Sequence, residues 1–520
     1  MSPPLPPPRR QVAVLVALGA IALTASYPPF PLPFLSFFAI TPAVLLIRQA
    51  VTDANPRSAF RWGWWYGLVS NALVLYWMVV ALWHFTPLSA LGYLATIAVL
   101  GLLTGVMFWF VVRIRLTAPA VPLLLVLPVA WTALEWLIGH LGDVRFPWLG
   151  LGTSLADAPV LVQWADIAGA RGVTLWLAWC NVAIVEAATE VRGARYAVRG
   201  YATVLVTVLL ALGYGAWRVR TLPYRELGIA GLVQPNERFD EKGDPAHADS
   251  VVGTLIEGTR QLMNEFPRPR LIIWPEAAIP DFLWRRPSWV NRITNLVRDG
   301  HVPIFTGVVW ADPTWRSRLD PYYNAAIFID TTGNWRPYPV YAKHYLVPVT
   351  ERVPFVPVGV FRAVPGLRNW SGGFSPGRDL PLYTSELGRF GVIVCYESAF
   401  EDLPRKYRAL GANFLVNITN DAWFGKTTAP RQHASHLILR AIETRMGVAR
   451  AANSGISEFV DPMGRVYAPT KLDERTFVAG VVRTTDVIPL YVRLGDWVGT
   501  LVVALTLTGI AFLVKRRFRP

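Results

Sequence analysis

Long apolar stretches dominate the two ends of this 520-residue chain. A helix that crosses a bilayer needs about 20 mostly apolar residues. The pattern therefore predicts eight transmembrane helices, seven before residue 220 and one after residue 489. They lie at roughly 11–27, 35–50, 62–85, 88–112, 119–140, 170–189, 200–217 and 495–514.

The middle of the chain has a different pattern, with short apolar runs separated by charged and proline-containing segments. Short apolar runs are typical of buried strands, and longer amphipathic stretches are typical of helices. We predict strands at 228–234, 270–275, 303–310, 325–330, 390–397, 413–419 and 476–483, and helices at about 246–265, 287–299 and 431–448. Because the two types alternate, the fold class of this part is α/β. Turn residues at 330–334 and 461–465 predict hairpins.

These patterns divide the chain into three domains. Residues 1–220 are expected to form an N-terminal membrane domain with seven helices, and residues 221–489 a domain in water. Residues 490–520 are expected to form a last transmembrane helix and a basic tail. The middle part is long enough to bury a hydrophobic core of its own.

Arginine and lysine residues mark one face of the predicted membrane domain. The loops 28–34 and 84–87 carry neither residue, whereas the alternate loops and the C-terminal tail are basic. Loops rich in arginine and lysine normally stay in the cytoplasm. Both termini are therefore predicted to be cytoplasmic, which places residues 221–489 on the other side. The basic residues are Arg9, Arg10, Arg48, Arg57, Arg61, Arg113, Arg115, Arg192, Arg195, Arg199, Lys515, Arg516, Arg517 and Arg519.

The net charge of +15 does not indicate a nucleic-acid partner. The arginines named above lie at predicted membrane boundaries, where they meet anionic lipid headgroups. The sequence contains no zinc-finger spacing and no RNA-binding aromatic motif. We therefore expect the membrane, and not nucleic acid, to be a partner, and we expect a monomer.

Glu135 lies inside the fifth predicted span. A carboxylate at membrane depth is costly, and it usually faces the helix bundle or a cavity. Two interpretations are equally compatible with the sequence. Glu135 either lines a path for substrate or makes a hydrogen bond between helices.

Three reactive side chains follow apolar strands in the middle domain. Cys395 ends the run 389–394, Glu276 follows the run 271–275, and Lys343 follows Tyr341 and Ala342. The other cysteine, Cys180, lies at predicted membrane depth, so a disulfide with Cys395 is not expected. A thiol becomes a nucleophile when a base removes its proton, which is the role predicted for Glu276. Lys343 and the backbone N–H of residue 396 are predicted to stabilise an oxyanion.

The order of these motifs resembles the nitrilase, or carbon-nitrogen hydrolase, superfamily, and the flanking spans narrow the resemblance to its apolipoprotein N-acyltransferase family. It rests on Trp274-Pro275-Glu276, on Lys343, on Cys395-Tyr396-Glu397 and on the highly specific stretch 417–425. Further matching segments are 146–149, 232–234, 323–324 and 348–354.

The resemblance implies an αββα sandwich with a catalytic triad of Glu276, Lys343 and Cys395. It also implies supporting or substrate-binding roles for Glu351, Tyr396, Glu397 and Trp423. The implied reaction moves an acyl group from a phospholipid, expected to be phosphatidylethanolamine, through a thioester to the α-amine of a diacylglyceryl-apolipoprotein. No cofactor or metal is implied. The implied location is the bacterial inner membrane, with the catalytic domain in the periplasm.

Other interpretations remain open from the residues alone. A membrane-tethered amidase would use the same triad and pass the acyl group to water. A papain-like enzyme would recruit His433 or His436 as its base, and a metal site would need a third convergent ligand beside them. A transporter would carry an inactive domain of this type.

Overall fold

A computed structural model describes residues 9–83, 89–238, 247–317, 320–356, 360 and 373–517. Its contacts divide the chain into two compact units. The first unit comprises Met1–Leu141, Arg145–Arg220 and Leu494–Pro520, and the second comprises Gly142–Val144 and Thr221–Arg493.

The first unit is built from helices. These are α1 (Arg9–Ser26), α2 (Thr41–Thr52), α3 (Pro56–Val74), α4 (Trp77–Trp83), α5 (Ser89–Thr117), α6 (Leu123–Ile138), α7 (Ala165–Ala188) and α8 (Ala194–Thr221), with α14 (Trp497–Arg517) from the end of the chain. Short 3-10 turns lie between α6 and α7, among them Leu151–Leu155.

Six segments among the described residues are long and apolar enough to cross a membrane, or seven if the bent pair of α3 and α4 is one span. The two helices of that pair meet at 59°. Each predicted apolar stretch contains helix, but α6 has only 16 residues. The predicted count of eight would require α6 as a further crossing. The chain is a membrane protein with several apolar helices.

Glu135 on α6 makes hydrogen bonds inside the first unit. Its Oε1 accepts from the backbone N–H of Leu151 at 2.8 Å and from Trp131 Nε1 at 3.0 Å. Its Oε2 accepts from the hydroxyl of Thr174 on α7 at 2.8 Å. That hydroxyl in turn accepts from the N–H of Gly152. Glu135 therefore links two helices and holds the 3-10 turn between them, which favours the hydrogen-bond interpretation.

The second unit contains two six-stranded sheets. The first has the order β12-β1-β2-β3-β4-β5, and the second has the order β11-β10-β9-β8-β7-β6. In the first, β1, β2 and β3 are parallel; in the second, β7, β8 and β9 are parallel. The strands are β1 (Arg225–Gln234), β2 (Leu271–Ile273), β3 (Ile304–Ala311), β4 (Tyr322–Ile329), β5 (Tyr341–Ala342), β6 (Tyr383–Ser385), β7 (Gly388–Val394), β8 (Phe414–Thr419), β9 (Gly447–Ala452), β10 (Glu458–Val460), β11 (Val466–Tyr467) and β12 (Thr476–Thr484).

The two sheets pack face to face, with helices on their outer faces. Phe305 of β3 and Phe390 of β7 meet across the sheet interface with ring centroids 5.3 Å apart. The helices are α9 (Ala248–Met263), α10 (Pro287–Gly300), α11 (Asp402–Ala409) and α12 (Ala429–Thr444), followed by the short α13 (Leu490–Leu494). Helices α9 and α10 share an apolar core with the first sheet, and Tyr407 of α11 packs on Gly391 of β7. The layers are αββα, as the resemblance implies.

Strands β1 and β4 each begin three residues before their predicted starts. Two further predicted boundaries are wrong at their ends. The helix predicted at 431–448 ends at Thr444, and Gly447–Ala452 is strand β9. Arg445 causes the break, because it adopts a left-handed conformation with φ 52°. The strand predicted at 390–397 ends at Val394, since the chain turns at Cys395. Both predicted hairpins are present, because β4 pairs antiparallel with β5 and β10 with β11.

Candidate active site

Cys395 follows β7 directly and begins the 3-10 turn Cys395–Ala399. Its φ angle is 49°, in the left-handed region that residues with a side chain seldom adopt. Such a conformation costs about 1–3 kcal/mol and persists only where the surroundings hold it. The residue is 1% exposed. The fold therefore presents a buried thiol on a sharp turn at the carboxyl end of a parallel strand.

Glu397 holds this turn in place. Its Oε2 accepts from the backbone N–H of Val394 and from the hydroxyl of Tyr341, both at 2.7 Å. Its Oε1 accepts from the backbone N–H groups of His344 at 2.7 Å and Tyr345 at 3.1 Å. Burial raises the pKa of Glu397, although these donors oppose the rise. The carboxylate thus ties the cysteine turn of one sheet to the segment that follows β5 in the other.

Glu276 lies three residues beyond the end of β2 and is 5% exposed. Its Oε1 accepts from Asn324 Nδ2 at 2.7 Å and from Lys343 Nζ at 3.2 Å. Its Oε2 accepts from the backbone N–H of Asn420 at 2.9 Å. Both oxygens of this carboxylate are therefore fixed, by one residue within a strand and by two residues that directly follow strands.

Lys343 is fully buried and lies between two carboxylates. Its Nζ is 2.9 Å from Glu351 Oε1 and 3.2 Å from Glu276 Oε1. Asn324 Nδ2 also donates to Glu351 Oε1 at 2.8 Å. Burial alone would lower the pKa of Lys343, but the two carboxylates outweigh it and hold the pKa well above its ordinary value. The lysine is thus a fixed cation.

The environment of Cys395 favours the neutral thiol. Burial raises the pKa of Cys395 well above its ordinary value, and the negative charge of Glu276 raises it further. The positive charge of Lys343 opposes this rise. A thiolate is therefore formed only when its proton has somewhere to go, and a base must take part in the reaction.

Several residues that the sequence did not single out as site residues also converge here. Asn324 bridges Glu276 and Glu351, as described above. On the other side, Asp421 Oδ1 accepts from the Thr419 hydroxyl at 2.9 Å, and its Oδ2 accepts from Arg450 Nη2 at 2.8 Å. Thr419 is also hydrogen-bonded to Cys395. Two signals were available, the position of Asn324 in the matching segment 323–324 and that of Asp421 within the specific stretch 417–425.

A metal ion does not suit this region. One ligand atom each of Cys395, Asp421 and His433 lies within 4.8 Å of the other two. However, Arg450 Nη2 lies 3.2 Å from His433 Nδ1 and forms an ion pair with Asp421. A guanidinium at this place neutralises the carboxylate and repels a cation.

The two histidines considered as bases have different positions. His433 Nδ1 is hydrogen-bonded to Asp421 Oδ1 at 2.9 Å, and a ring nitrogen of His433 lies within 4.8 Å of the Cys395 sulfur. Burial lowers the pKa of His436 well below its ordinary value, which keeps that ring neutral. A papain-like arrangement would thus depend on His433 alone.

Tyr396 and Trp423 lie at the margins of the cluster. Tyr396 follows Cys395, and its ring packs against Phe400 with centroids 5.1 Å apart. Trp423 lies in the 3-10 turn Ala422–Phe424, and its ring contacts Phe424.

Comparison with known proteins identifies both parts of the chain. Residues 19–183 match the apolipoprotein N-acyltransferase N-terminal domain, and residues 231–487 match the carbon-nitrogen hydrolase family. An amidase from Nesterenkonia is among the similar solved structures; it is 17% identical, with a TM-score of 0.38, over 53% of this chain and 95% of that chain.

Curated relatives match nearly the whole length. An apolipoprotein N-acyltransferase of Geobacter metallireducens is 31% identical over 506 residues, which cover 94% of this chain and 92% of the relative. One of Brucella melitensis is 30% identical over 533 residues, which cover 98% and 97%. The resemblance predicted from the motifs is confirmed, and the chain belongs to the apolipoprotein N-acyltransferase family.

Proposed function

We propose that this protein transfers a fatty acyl group from a phospholipid to the α-amine of the N-terminal diacylglyceryl-cysteine of apolipoproteins. The observation that carries the proposal is the convergence of Glu276, Lys343 and Cys395 within a chain that matches this family over its whole length. Phosphatidylethanolamine is the proposed donor. The chemistry uses only side chains and backbone groups, so no cofactor is needed.

The first half-reaction forms a thioester on Cys395. Glu276 takes the thiol proton, and the sulfur attacks the carbonyl carbon of the acyl ester. The oxyanion is stabilised by the charge of Lys343 and by the N–H of Tyr396. When the intermediate collapses, the carbon–oxygen bond breaks and Glu276 returns the proton to the leaving alkoxide. Lysophospholipid is released, and the acyl group remains on sulfur.

The second half-reaction transfers the acyl group to nitrogen. The α-amine attacks the thioester carbon, and Glu276 takes a proton from the nitrogen. The carbon–sulfur bond then breaks, the proton moves to the sulfur, and the thiol is restored. Because one product leaves before the second substrate reacts, we expect ping-pong kinetics.

We further propose an arrangement in the membrane. Eight crossings, with α6 as one of them, place both termini in the cytoplasm of a bacterial inner membrane and residues 221–489 in the periplasm. The basic loops listed above support this orientation. Residues 1–220, 221–489 and 490–520 are the proposed membrane, catalytic and C-terminal domains, and the protein acts as a monomer. Glu351, Glu397 and Trp423 complete the site around the triad.

The acceptor distinguishes this proposal from a hydrolase. Purified enzyme would be given phosphatidylethanolamine with and without a synthetic diacylglyceryl-cysteine peptide. We expect N-acylated peptide and an equal amount of lysophospholipid, with little free fatty acid. A matched peptide with an acetylated α-amine should give no acylated product. Free fatty acid as the main product, with both peptides unmodified, would support the amidase-type alternative instead.

Gly307 on β3 allows Glu276 to reach its position. A Cβ added to Gly307 would lie 2.6 Å from each of Glu276 Cα, Ala277 N and Pro275 O. Since a shift of about 1 Å in a catalytic group can cost about 100-fold in rate, we expect Gly307→Ala to lower kcat by about that factor. Steady-state kinetics of acyl transfer measures this effect.

Gly253→Ala is the matched control for this substitution. A Cβ at Gly253 on α9 would meet its nearest neighbour, Arg292 Nη2, at 3.6 Å, which is an ordinary contact. This variant should keep the wild-type rate. Equal rates for the two variants would show that the packing of Gly307 against Glu276 has no bearing on the reaction.

Glu397→Gln tests whether Glu397 holds the turn at Cys395 in place. A glutamine side chain has one acceptor oxygen and an amide that donates, so it cannot accept from all four donors that surround Glu397. Leaving buried donors unpaired should destabilise the catalytic unit by about 2–4 kcal/mol and lower activity. Thermal unfolding with a Glu386→Gln control measures this, since Glu386 is 64% exposed and should be neutral. Equal melting temperatures of the Glu397→Gln and Glu386→Gln variants would show that Glu397 does not stabilise the turn.

A further inference from the structure

The segment Thr419–Asp421 contacts both partners of the proposed proton transfer. The Thr419 hydroxyl is hydrogen-bonded to Cys395, and the backbone N–H of Asn420 donates to Glu276 Oε2 at 2.9 Å. Three consecutive residues at the end of β8 thus reach the nucleophile on one side and the carboxylate on the other.

Asp421 fixes the position of this segment through its own hydrogen bonds. It is 3% exposed, and it accepts from Thr419, His433 and Arg450 at 2.8–2.9 Å. Burial alone would raise the pKa of Asp421, but His433 and Arg450 outweigh it and lower the pKa to about 2. The carboxylate is therefore ionised at every pH at which the enzyme is expected to work.

The surroundings leave Asp421 little freedom. A Cβ at Gly455 would lie 2.2 Å from Asp421 Oδ2, so only glycine fits there. Arg450 is fully buried, and its Nε donates to the carbonyl of Ile456 at 3.0 Å while its Nη1 donates to Asn417 Oδ1 at 2.5 Å. Asn417 Nδ2 donates to the carbonyl of Ile393, two residues before Cys395. The network thus returns to the strand that carries the nucleophile.

A buried ion pair of this kind rarely adds net stability, because removing both charges from water costs more than their attraction returns. Its position next to the thiol gives it another role. We propose that Asp421 is a positioning residue which, clamped by His433 and Arg450, orients the Cys395 thiol through Thr419 and Glu276 through the N–H of Asn420. This inference rests on the proposed function.

The Thr419 hydroxyl donates to Asp421 Oδ1 at 2.9 Å. Its hydrogen bond with Cys395 lowers the pKa of that thiol, against the larger rise caused by burial and by Glu276. The charges that face Cys395 are those of Glu276, Lys343 and Asp421. Glu351 pairs with Lys343, and both Arg450 and the His433 ring contact Asp421.

A threonine pair provides the first test. Thr419→Val removes both hydrogen bonds at nearly constant shape, and Thr419→Ser keeps the hydroxyl. With the full-length enzyme in detergent, we expect Thr419→Val to lower kcat by about 100-fold with little change in KM, and Thr419→Ser to restore most of it. Thr444→Val is the control for loss of a buried hydroxyl, since Thr444 bonds only to the helix carbonyl of Arg440 among the contacts described. A wild-type kcat in Thr419→Val, or equal losses in the valine and serine variants, would overturn the proposal.

Alkylation of Cys395 provides a second readout that needs no lipid substrate. The rate with iodoacetamide, followed by peptide mass spectrometry across pH 6–10, reports the thiolate fraction. We expect Asp421→Asn to shift this profile to lower pH, because a negative charge beside the thiol is lost, while acyl transfer falls. If His433 were the base and Asp421 its partner, the same variant would alkylate more slowly, and the proposal would be wrong. If the acyl group were passed to water and not to the α-amine, the pH dependence of Cys395 alkylation would stay the same. The alkylation experiment therefore tests the role of Asp421 separately from the identity of the acyl acceptor.

Discussion

Replacing Cys395 by alanine is expected to abolish acyl transfer, with a loss of at least about 10⁴-fold, while the protein stays folded. The substitution removes one sulfur atom from a buried site. Alanine also fits the backbone, because Ala277 and Ala468 adopt φ angles of 46° and 48° in the same protein. The loss should therefore reflect the missing nucleophile. Initial rates with a fluorescent or radiolabelled phospholipid measure it.

Cys180→Ala is the matched control, since Cys180 is the other cysteine and lies buried in α7. We expect this variant to retain activity. A Cys395→Ala enzyme that keeps a tenth of the wild-type rate would mean that the acyl group is never carried on this sulfur.

Replacing Lys343 by methionine should damage both activity and stability. Glu276 and Glu351 would then share a buried site without their cation. Breaking a buried ion pair by removing one partner costs about 3–5 kcal/mol. The melting temperature in detergent, determined for wild type and variant, measures this loss. Lys406→Met is the control, because Lys406 is 49% exposed and pairs with Asp402 on the surface of α11. Its effect should stay below about 1 kcal/mol.

The pH dependence of this loss has a defined sign. The pKa of Lys343 is raised in the folded state, so its contribution is complete below the ordinary lysine value and disappears only as the pH rises through the folded value. Across pH 6–9 the wild type should therefore keep this contribution. In the methionine variant the two carboxylates gain stability by taking up a proton, so the deficit should shrink as the pH falls. A Lys343→Met protein as stable as wild type at pH 8 would contradict this account of the site.

The proposed triad was predictable in part, because each of its members follows a strand. Cys395 and Glu276 follow strands of different sheets, so their convergence was indicated by the order of the motifs and not by a shared sheet edge. Asn324 was not predicted as a site residue although it lies in the matching segment 323–324, because its role depends on Glu276 and Glu351, which are distant from it in the sequence. Arg450 was missed because 29 residues separate it from Asp421 and it lies in β9, where a helix end was expected.

The fold was predictable to a similar extent. Short apolar runs gave β1, β2, β3, β4, β7, β8 and β12, but β5, β6, β10 and β11 have only two or three residues and show no periodicity. The end of α12 was misplaced because the stop is a left-handed arginine and not glycine. For α6, an apolar stretch predicted at 119–140 forms a helix only from Leu123 to Ile138, since Pro122 precedes it and Gly139 follows.

Cys395 is proposed to carry the acyl group between two lipid substrates. The most direct measurement is mass spectrometry of the Cys395 peptide after incubation with phospholipid alone, and again after addition of a diacylglyceryl-cysteine peptide. We predict one fatty acyl mass on Cys395 in the first sample, and its transfer to the α-amine of the peptide in the second. An unmodified Cys395 in the first sample, together with product formation in the second, would contradict the account.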